Sequence, residues 1–285
     1  MKDLLVIGRS GLLARALAAR GAQTAGRKEV DIFNADSVAA LIAAVRPSAV
    51  INAAAYTAVD KAEDEAEAAF ALNRDAVAVL AAASAHAQIP FVHVSTDYVF
   101  NGEKSGAYTE SDEKQPLGVY GRSKSEGEEA ALNSGARAAV LRTSWVYAAD
   151  GGNFVRTMLR LAQDRDEVRV VADQFGKPTH ANDLADACIA MAALLAAKNV
   201  NAEGVFHYAG AGETSWAGFA EAIFAEAAMR GMPSARVVSI TTGEYPTRAR
   251  RPANSRLDTS KIESLGVPTR PWREALKLCF DAMPL

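Results

Sequence analysis

Cysteine is scarce in this chain. Its 285 residues include two, Cys188 and Cys279, each inside an apolar run of helical character. That excludes a disulfide-stapled scaffold and predicts two buried thiols. Histidine is scarce as well. His86, His93, His180 and His207 share no metal-ligand spacing. His93 and His207 lie in strand-like runs and are expected to be packed; His180 is expected in a loop near a cleft. Positive charge is not in excess: 31 Lys and Arg against 34 Asp and Glu leave a formal net charge of -3, which argues against a nucleic-acid partner. No run reaches the roughly 18 apolar residues of a bilayer span, because "IAMAALLAA" is short and bounded by charge. The opening "MKDLLVIGRSG" enters a strand without a leader-cleavage pattern. The expectation is a soluble, cytoplasmic protein with no membrane partner. Internal repeats, disordered tracts and a clean linker are also missing.

What is present is alternation. "LLVIG", "AQTA", "SAVINAAA", "IPFVHVST" and "RAAVLRTSWVY" read as strands, mostly apolar on both faces. Between them lie helical patterns: "LLARALAAR" ending at Gly21, "DSVAALIAAVRP" ending at Pro47, and a long Ala-rich stretch from about Ala62 to Ala87. Strands buried on both faces and separated by helices specify an α/β, doubly wound parallel sheet of Rossmann type. Residues 1–148 are expected to form this core, with strands from about 165–210 added to it. Residues 149–164 and 211–285 are expected to form a smaller, interlaced substrate-binding part.

The chemistry begins at "VIGRSGLLA", where a G-x-x-G-x-x-A loop follows a strand and opens a helix. In that context Gly8 permits a tight turn, and Gly11 lets backbone approach a pyrophosphate at the helix N-terminus. Ala14 allows close helix–strand packing. A dinucleotide is the expected cofactor, held by Gly8, Arg9, Ser10, Gly11, Leu12 and Leu13. The second strand runs into "GRKEVDI". An NAD site usually presents a carboxylate there; Gly26, Arg27 and Lys28 stand there instead, which favours the 2′-phosphate of NADPH, with NADH possible. Arg9 adds to that charge, and Asp31 and Ile32 would line the adenine.

In such a sheet, ligands bind beyond the carboxyl ends of the strands. Ser95 and Thr96 are hydroxyls at one such end, in "HVSTDYVFNG". Tyr120 and Lys124 come later, in "VYGRSKSEGEEAALNSG", four residues apart at a helix start. Together they can close around one carbonyl: Tyr120 as proton donor, Thr96 as the group fixing the oxygen, and Lys124 as a cation lowering the tyrosine pKa and holding the nicotinamide ribose. Arg122, Glu126, Glu128 and Glu129 read as helix surface. Asp60, Glu63, Asp64 and Glu65 read as an acidic cluster favoured by a helix dipole. No carboxylate pair stands out as acid and base.

The glycine loop, the strand-end hydroxyl and Y-x-x-x-K resemble the extended short-chain dehydrogenase/reductases. Further stretches resemble the dTDP-4-dehydrorhamnose reductases within them: "NAAAYTAVDKAE", "LN" at Leu72–Asn73, "STDYVF", "LRTSWVY", "NFVRTMLRLA", "DQFGKPT" and "RRPANSRLDTSK". The resemblance runs through nearly the whole chain. It implies reduction of the C4 ketone of dTDP-4-dehydro-L-rhamnose to dTDP-L-rhamnose. Thr96, Tyr120 and Lys124 would be the catalytic set. The resemblance adds Ala53, Ala54, Ala55 and Asn73 to the cofactor pocket, and Tyr98, Trp145 and Asn254 to the substrate side. Leu12 and Ala14 depart from residues common in the family, and both suit the loop's physics. Some relatives join through a metal held by glutamates; Ala16 stands where such a glutamate is expected, so no metal is expected here, and a homodimer stays possible. The alternatives are another sugar-nucleotide reductase or epimerase of the same type, or a noncatalytic regulatory relative.

A sugar diphosphate calls for cations. "YPTRARRPANSRL" offers Arg248, Arg250, Arg251 and Arg256 in one Pro-bounded loop, and Arg251 and Arg256 are the expected diphosphate ligands.

Overall fold

The computed structural model describes residues 3–283. The first half alternates: β1 (Leu4–Ile7), α1 (Leu12–Ala19), β2 (Gln23–Ala25), α2 (Ala35–Val45), β3 (Ala49–Asn52), α3 (Val59–Ala62), α4 (Ala66–Phe70), α5 (Ala76–His86), β4 (Phe91–Thr96), α6 (Val119–Leu132) and β5 (Ala138–Thr143). The second half carries β6 (Val146–Tyr147), α7 (Phe154–Leu161), β7 (Glu167–Val171), β8 (Phe175–Gly176), β9 (Thr179–His180) and α8 (Ala181–Ala196). It continues with β10 (Gly204–His207), β11 (Thr214–Ser215), α9 (Trp216–Met229), β12 (Arg236–Ile240), β13 (Asn254–Ser255), α10 (Ser260–Glu263) and α11 (Trp272–Asp281).

Six strands form one sheet in the order β2-β1-β3-β4-β5-β10, every pair parallel. Strand side chains alternate between two buried faces. Leu4, Val6, Ile51, Val92 and Leu141 pack with α1 and α8, while Leu5, Ile7, Val50, Phe91 and Val140 pack with α2 and α5. That alternation is why the strands read as continuous apolar runs. Winding reverses at β1, so a crevice opens between the carboxyl ends of β1 and β3. A third core joins α7, α9 and α11 with β7, around Phe219, Ile223, Trp272 and Leu276.

Two expectations need correction, and a third is refined. Of the strands between about 165 and 210, β10 joins the main sheet, but β7 pairs with β12 in a separate two-stranded ribbon. The Ala-rich region is helical, as expected, and has internal structure. It is α3, then α4, then one π-helical turn at Ala71–Asp75, then α5. The run Ala66–His86 has the length and mean hydropathy (1.3) of a bilayer-crossing helix. Yet Arg74 and Asp75 interrupt it, and Val77, Leu80 and Ala81 pack on the sheet, so it is a core helix. Finally, His180 is not in a loop; it ends β9, buried and stacked on Tyr147.

Candidate active site

A cleft of about 460 Å³ opens at the crevice. Its walls include Ser10, Gly11, Leu12 and Leu13 from the glycine loop and Ala53–Ala55 beyond β3. Thr96, Asp97, Tyr98, Tyr120, Lys124 and Trp145 close the other side. The sequence had scattered these residues over 135 positions; the parallel sheet gathers them, because each strand delivers its carboxyl end to one edge.

The glycine loop is shaped for a diphosphate. Gly8 has φ +125°, and a Cβ added there would stand 3.2 Å from the carbonyl carbon of Ala53. No side chain caps α1, whose Ncap is Gly11, so its first N–H groups face the cleft without an internal acceptor. Arg15, which sequence reading passed over, donates to the Ser10 carbonyl and pairs with Asp150 at 3.1 Å, tying this loop to the second half of the chain.

The adenosine end departs from expectation. Arg9 does not stand free: it is paired with Glu29, whose other oxygen accepts the Gly26 N–H at 2.9 Å. A carboxylate therefore sits at the end of β2 after all, held by these two donors below its ordinary pKa, first by the Gly26 N–H. Arg27 is exposed. Asp31 is exposed too, and its carboxylate accepts the Phe33 N–H at 3.0 Å. Ile32 is half-buried against the core beneath α2. Asn73 is buried, with both ends of its amide engaged: Oδ1 accepts from Tyr56 N at 2.8 Å, and Nδ2 donates to the Tyr56 carbonyl and to Ser123 Oγ. It shapes the Ala53–Tyr56 loop rather than offering its side chain to a ligand. The π turn is what brings Asn73 against α6. Its carbonyl would lie 1.9 Å from a Cβ at position 127, so Gly127 is required for that approach.

The reactive end is buried. Val119 N, at the start of α6, donates to Glu63 Oε1 at 2.8 Å, which sets the helix that carries Tyr120 and Lys124. Burial raises the Tyr120 phenol above its ordinary pKa; Asp97 and Tyr98 add to this, and the Thr96 hydroxyl opposes it. Lys124 is buried too, and desolvation brings its pKa down to about 8, with Glu128 opposing. The groups that act on the Tyr120 phenol in the ligand-free protein are the burial itself, Thr96, Asp97 and Tyr98, and the net effect is upward, not the depression expected from Lys124. Its Nζ donates to the Val94 carbonyl at 2.7 Å and lies 3.1 Å from His93 Nε2.

Asp97, beside Thr96, is the residue sequence reading missed most plainly. It accepts from Thr96 Oγ1 at 3.0 Å through Oδ1, while Oδ2 is buried without a partner. Desolvation raises its pKa to about 6. The signal was present, an acid inside the strand-end motif.

A family profile described as "RmlD substrate binding domain" matches residues 1–284. A dTDP-4-dehydrorhamnose reductase of Sinorhizobium fredii is 44% identical over 99% of this chain and 98% of its own. Another, of Burkholderia thailandensis, is 45% identical over 97% of each. The chain belongs to the dTDP-4-dehydrorhamnose reductase family. Two solved reductases of this family superpose closely. That of Clostridium acetobutylicum has a TM-score of 0.89 at 36% identity and 98% coverage of both chains. That of Bacillus anthracis, in complex with NADP, has a TM-score of 0.89 at 33% identity and 99% coverage of both.

The side where this family would hold its sugar nucleotide is only partly as expected. Tyr98 lies 5.5 Å, edge to face, from Tyr120, and its hydroxyl accepts from Arg251 at 3.1 Å. Trp145, at φ +50°, stacks 3.7 Å from Trp216 and lines the cleft. Arg251 is oriented by Asp60 at 2.6 Å, and Arg248 pairs with Asp64 at 2.6 Å. The acidic cluster therefore clasps the arginine loop and caps α6, which a helix-dipole reading does not capture. Asn254 is not on the cleft: its amide donates to the Lys104 and Gly106 carbonyls and accepts from Arg256. Arg256 is likewise engaged by Asn254, Glu213 and the Ser105 carbonyl. Both brace the 104–106 loop in this state. The helix-surface reading of Glu128 is also overturned, since it is buried against Arg142.

Proposed function

We propose that this protein reduces the C4 ketone of dTDP-4-dehydro-L-rhamnose to dTDP-L-rhamnose with NADPH. The observation that carries the reading is the convergence of Thr96, Tyr120 and Lys124 on one cleft with the glycine loop. The loop suits the cofactor: a positive-φ glycine pressed on Ala53 and an uncapped helix start are what a diphosphate needs. Gly8, Ser10, Gly11, Leu12 and Leu13 would hold it, with Ala53–Ala55 along the dinucleotide, Lys124 at the nicotinamide ribose, and Arg9 and Arg27 at a 2′-phosphate. When bound, the reduced nicotinamide supplies the hydride.

The protein's residues do the rest. Tyr120 gives its phenolic proton to the oxygen that becomes the new hydroxyl; a raised pKa keeps that proton in place until charge develops on the ketone oxygen. Thr96 fixes the oxygen's position. Asp97 Oδ2, buried without a donor, offers an acceptor to a sugar hydroxyl, which would relieve an unpaired polar atom. Trp145 and Tyr98 flank the sugar, and Arg251 faces the diphosphate. The assignment implies a cytoplasmic setting, in keeping with two free buried thiols.

Following NADPH absorbance with the ketone made in place by its upstream epimerase tests this. Tyr120→Phe should lower kcat by about 10²–10⁴-fold with cofactor affinity retained. Unchanged turnover in that variant, or no turnover of this ketone alongside turnover of another nucleotide 4-keto sugar, sinks the reading.

A further inference from the structure

Trp145 holds a backbone conformation that needs a reason. Its φ is +50°, a left-handed geometry that a bulky side chain adopts only when its surroundings compel it. The other described residues at positive φ that are not glycine, Arg46, Gln88 and Lys198, each follow a helix, where a left-handed residue is an ordinary way to stop. Trp145 follows a strand, β5, and lines the cleft. Two hydrogen bonds pin the chain around it. Ser144 Oγ donates to the Lys177 carbonyl at 2.9 Å, and the Trp145 carbonyl accepts the Thr179 N–H at 3.2 Å.

Gly176 and Trp216 form the seat of its indole. A Cβ added at 176 would stand 2.5 Å from Cε2 and 2.7 Å from Cζ2 of Trp145, so any side chain there displaces the ring. Trp216 stacks on that ring with centroids 3.7 Å apart and planes 13° from parallel. Strand pairing brings the two seats together: β11 lies antiparallel to β8, with Thr214 opposite Gly176, and Trp216 opens α9 directly after β11. The Ser215 hydroxyl caps that helix by accepting the Gly218 N–H at 3.1 Å. Phe154 lies 4.6 Å from Trp216 and stacks in turn on Phe219, which is fully buried. Four rings thus run from the third core to the cleft. Packing of a core does not by itself call for a strained backbone; strain of this kind is kept where a side chain must be aimed.

We propose that Trp216 and Gly176 are positioning residues for the sugar nucleotide. They hold the Trp145 indole as a preset apolar wall of the cleft, against the C–H face of the deoxysugar, while neither is itself a residue of the cleft wall. An indole free to turn would have to be ordered when the ligand binds; here the stack and the glycine order it during folding, so the ligand meets a wall already in place. The proposal rests on the placement of Trp145 beside the sugar in the proposed function. The glycine loop lies on the opposite side of the cleft, so the seat serves the sugar nucleotide and not the cofactor.

Calorimetric titration of dTDP-L-rhamnose into the NADP-loaded protein measures this without turnover. Trp216→Ala should weaken that binding about tenfold, and Gly176→Ala, which keeps Trp216 and crowds the indole, about fivefold. Trp216→Phe, which keeps a ring in the stack, should recover most of the affinity. NADPH binding should change by less than about twofold in all three. The double variant Trp145→Ala/Trp216→Ala should bind the sugar nucleotide no worse than Trp145→Ala alone, because Trp216 acts only through Trp145. Additive losses overturn the proposal, as does wild-type binding in Trp145→Ala or in Gly176→Ala, the variant that carries the test should Trp216→Ala not fold. An equal loss of NADPH affinity marks a general loosening and also refutes it. A Tyr120→Phe enzyme that still turned over would remove the proposed reduction and leave these binding results standing.

Discussion

Glu128 and Arg142 form a two-point ion pair inside the protein. Arg142 Nη2 is 2.7 Å from Glu128 Oε2 and Nε is 2.8 Å from Oε1, with the side chains 3% and 1% exposed. Ser95 Oγ donates to the same Oε1 at 2.6 Å. The pair joins α6 to β5 directly behind Lys124.

Removing one partner of such a pair strands the other charge without solvent. Glu128→Ala should destabilise the protein by about 3–5 kcal/mol. Glu128→Gln, which keeps one hydrogen-bond acceptor but not the charge, should cost less. The midpoint of urea unfolding measures both; a midpoint unchanged in Glu128→Ala would show that the pair is not closed in solution.

Asp97 predicts a pH-dependent gain. Its carboxyl is raised from 3.8 to about 6 in the fold. A raised carboxyl favours the folded state while protonated, and that advantage is lost as pH rises through about 6. At pH 7.5 the buried charge is therefore a net cost. Asp97→Asn should stabilise the protein by about 2 kcal/mol at pH 7.5 and by almost nothing near pH 3.5, while lowering turnover. Unfolding at the two pH values decides it: equal gains at both would contradict the linkage.

Glu29 competes with a 2′-phosphate for Arg9. Freed by Glu29→Gln, Arg9 would turn to the phosphate, and the amide can still accept the Gly26 N–H. The ratio of kcat/KM for NADPH over NADH should rise about fivefold, the scale of one screened surface charge. An unchanged ratio would place Arg9 outside the cofactor site.

Arg251 is held by Asp60 and by the hydroxyl of Tyr98, a residue that lines the cleft. Arg251→Ala should raise KM for the sugar nucleotide by about tenfold or more, and KM for NADPH by less than about twofold. Steady-state kinetics with each substrate varied in turn would show it; equal effects on both constants would move Arg251 away from the diphosphate.

Local physics made much of this legible. Strands apolar on both faces, a glycine loop between a strand and a helix, and Tyr120 four residues before Lys124 are statements about neighbours in the chain, and periodicity and spacing report neighbours well. They specified the parallel sheet, the helix start for a diphosphate, and the pairing of a strand-end hydroxyl with a helical tyrosine.

Only the tertiary structure decided what those groups experience. Glu128 sits among helix-surface residues in sequence, but its side of α6 meets Arg142. Glu29 follows two cations, but the turn at Gly26 folds it back onto Arg9. Asn254 stands in an arginine-rich loop, yet the 104–106 backbone takes its amide. Lys124 read as an ordinary lysine, yet in the fold its pKa comes down to about 8. Burial beside His93 does this, since the hold of a side chain on its proton depends on solvation. His93, 31 residues away in the chain, becomes a neighbour only when the sheet closes.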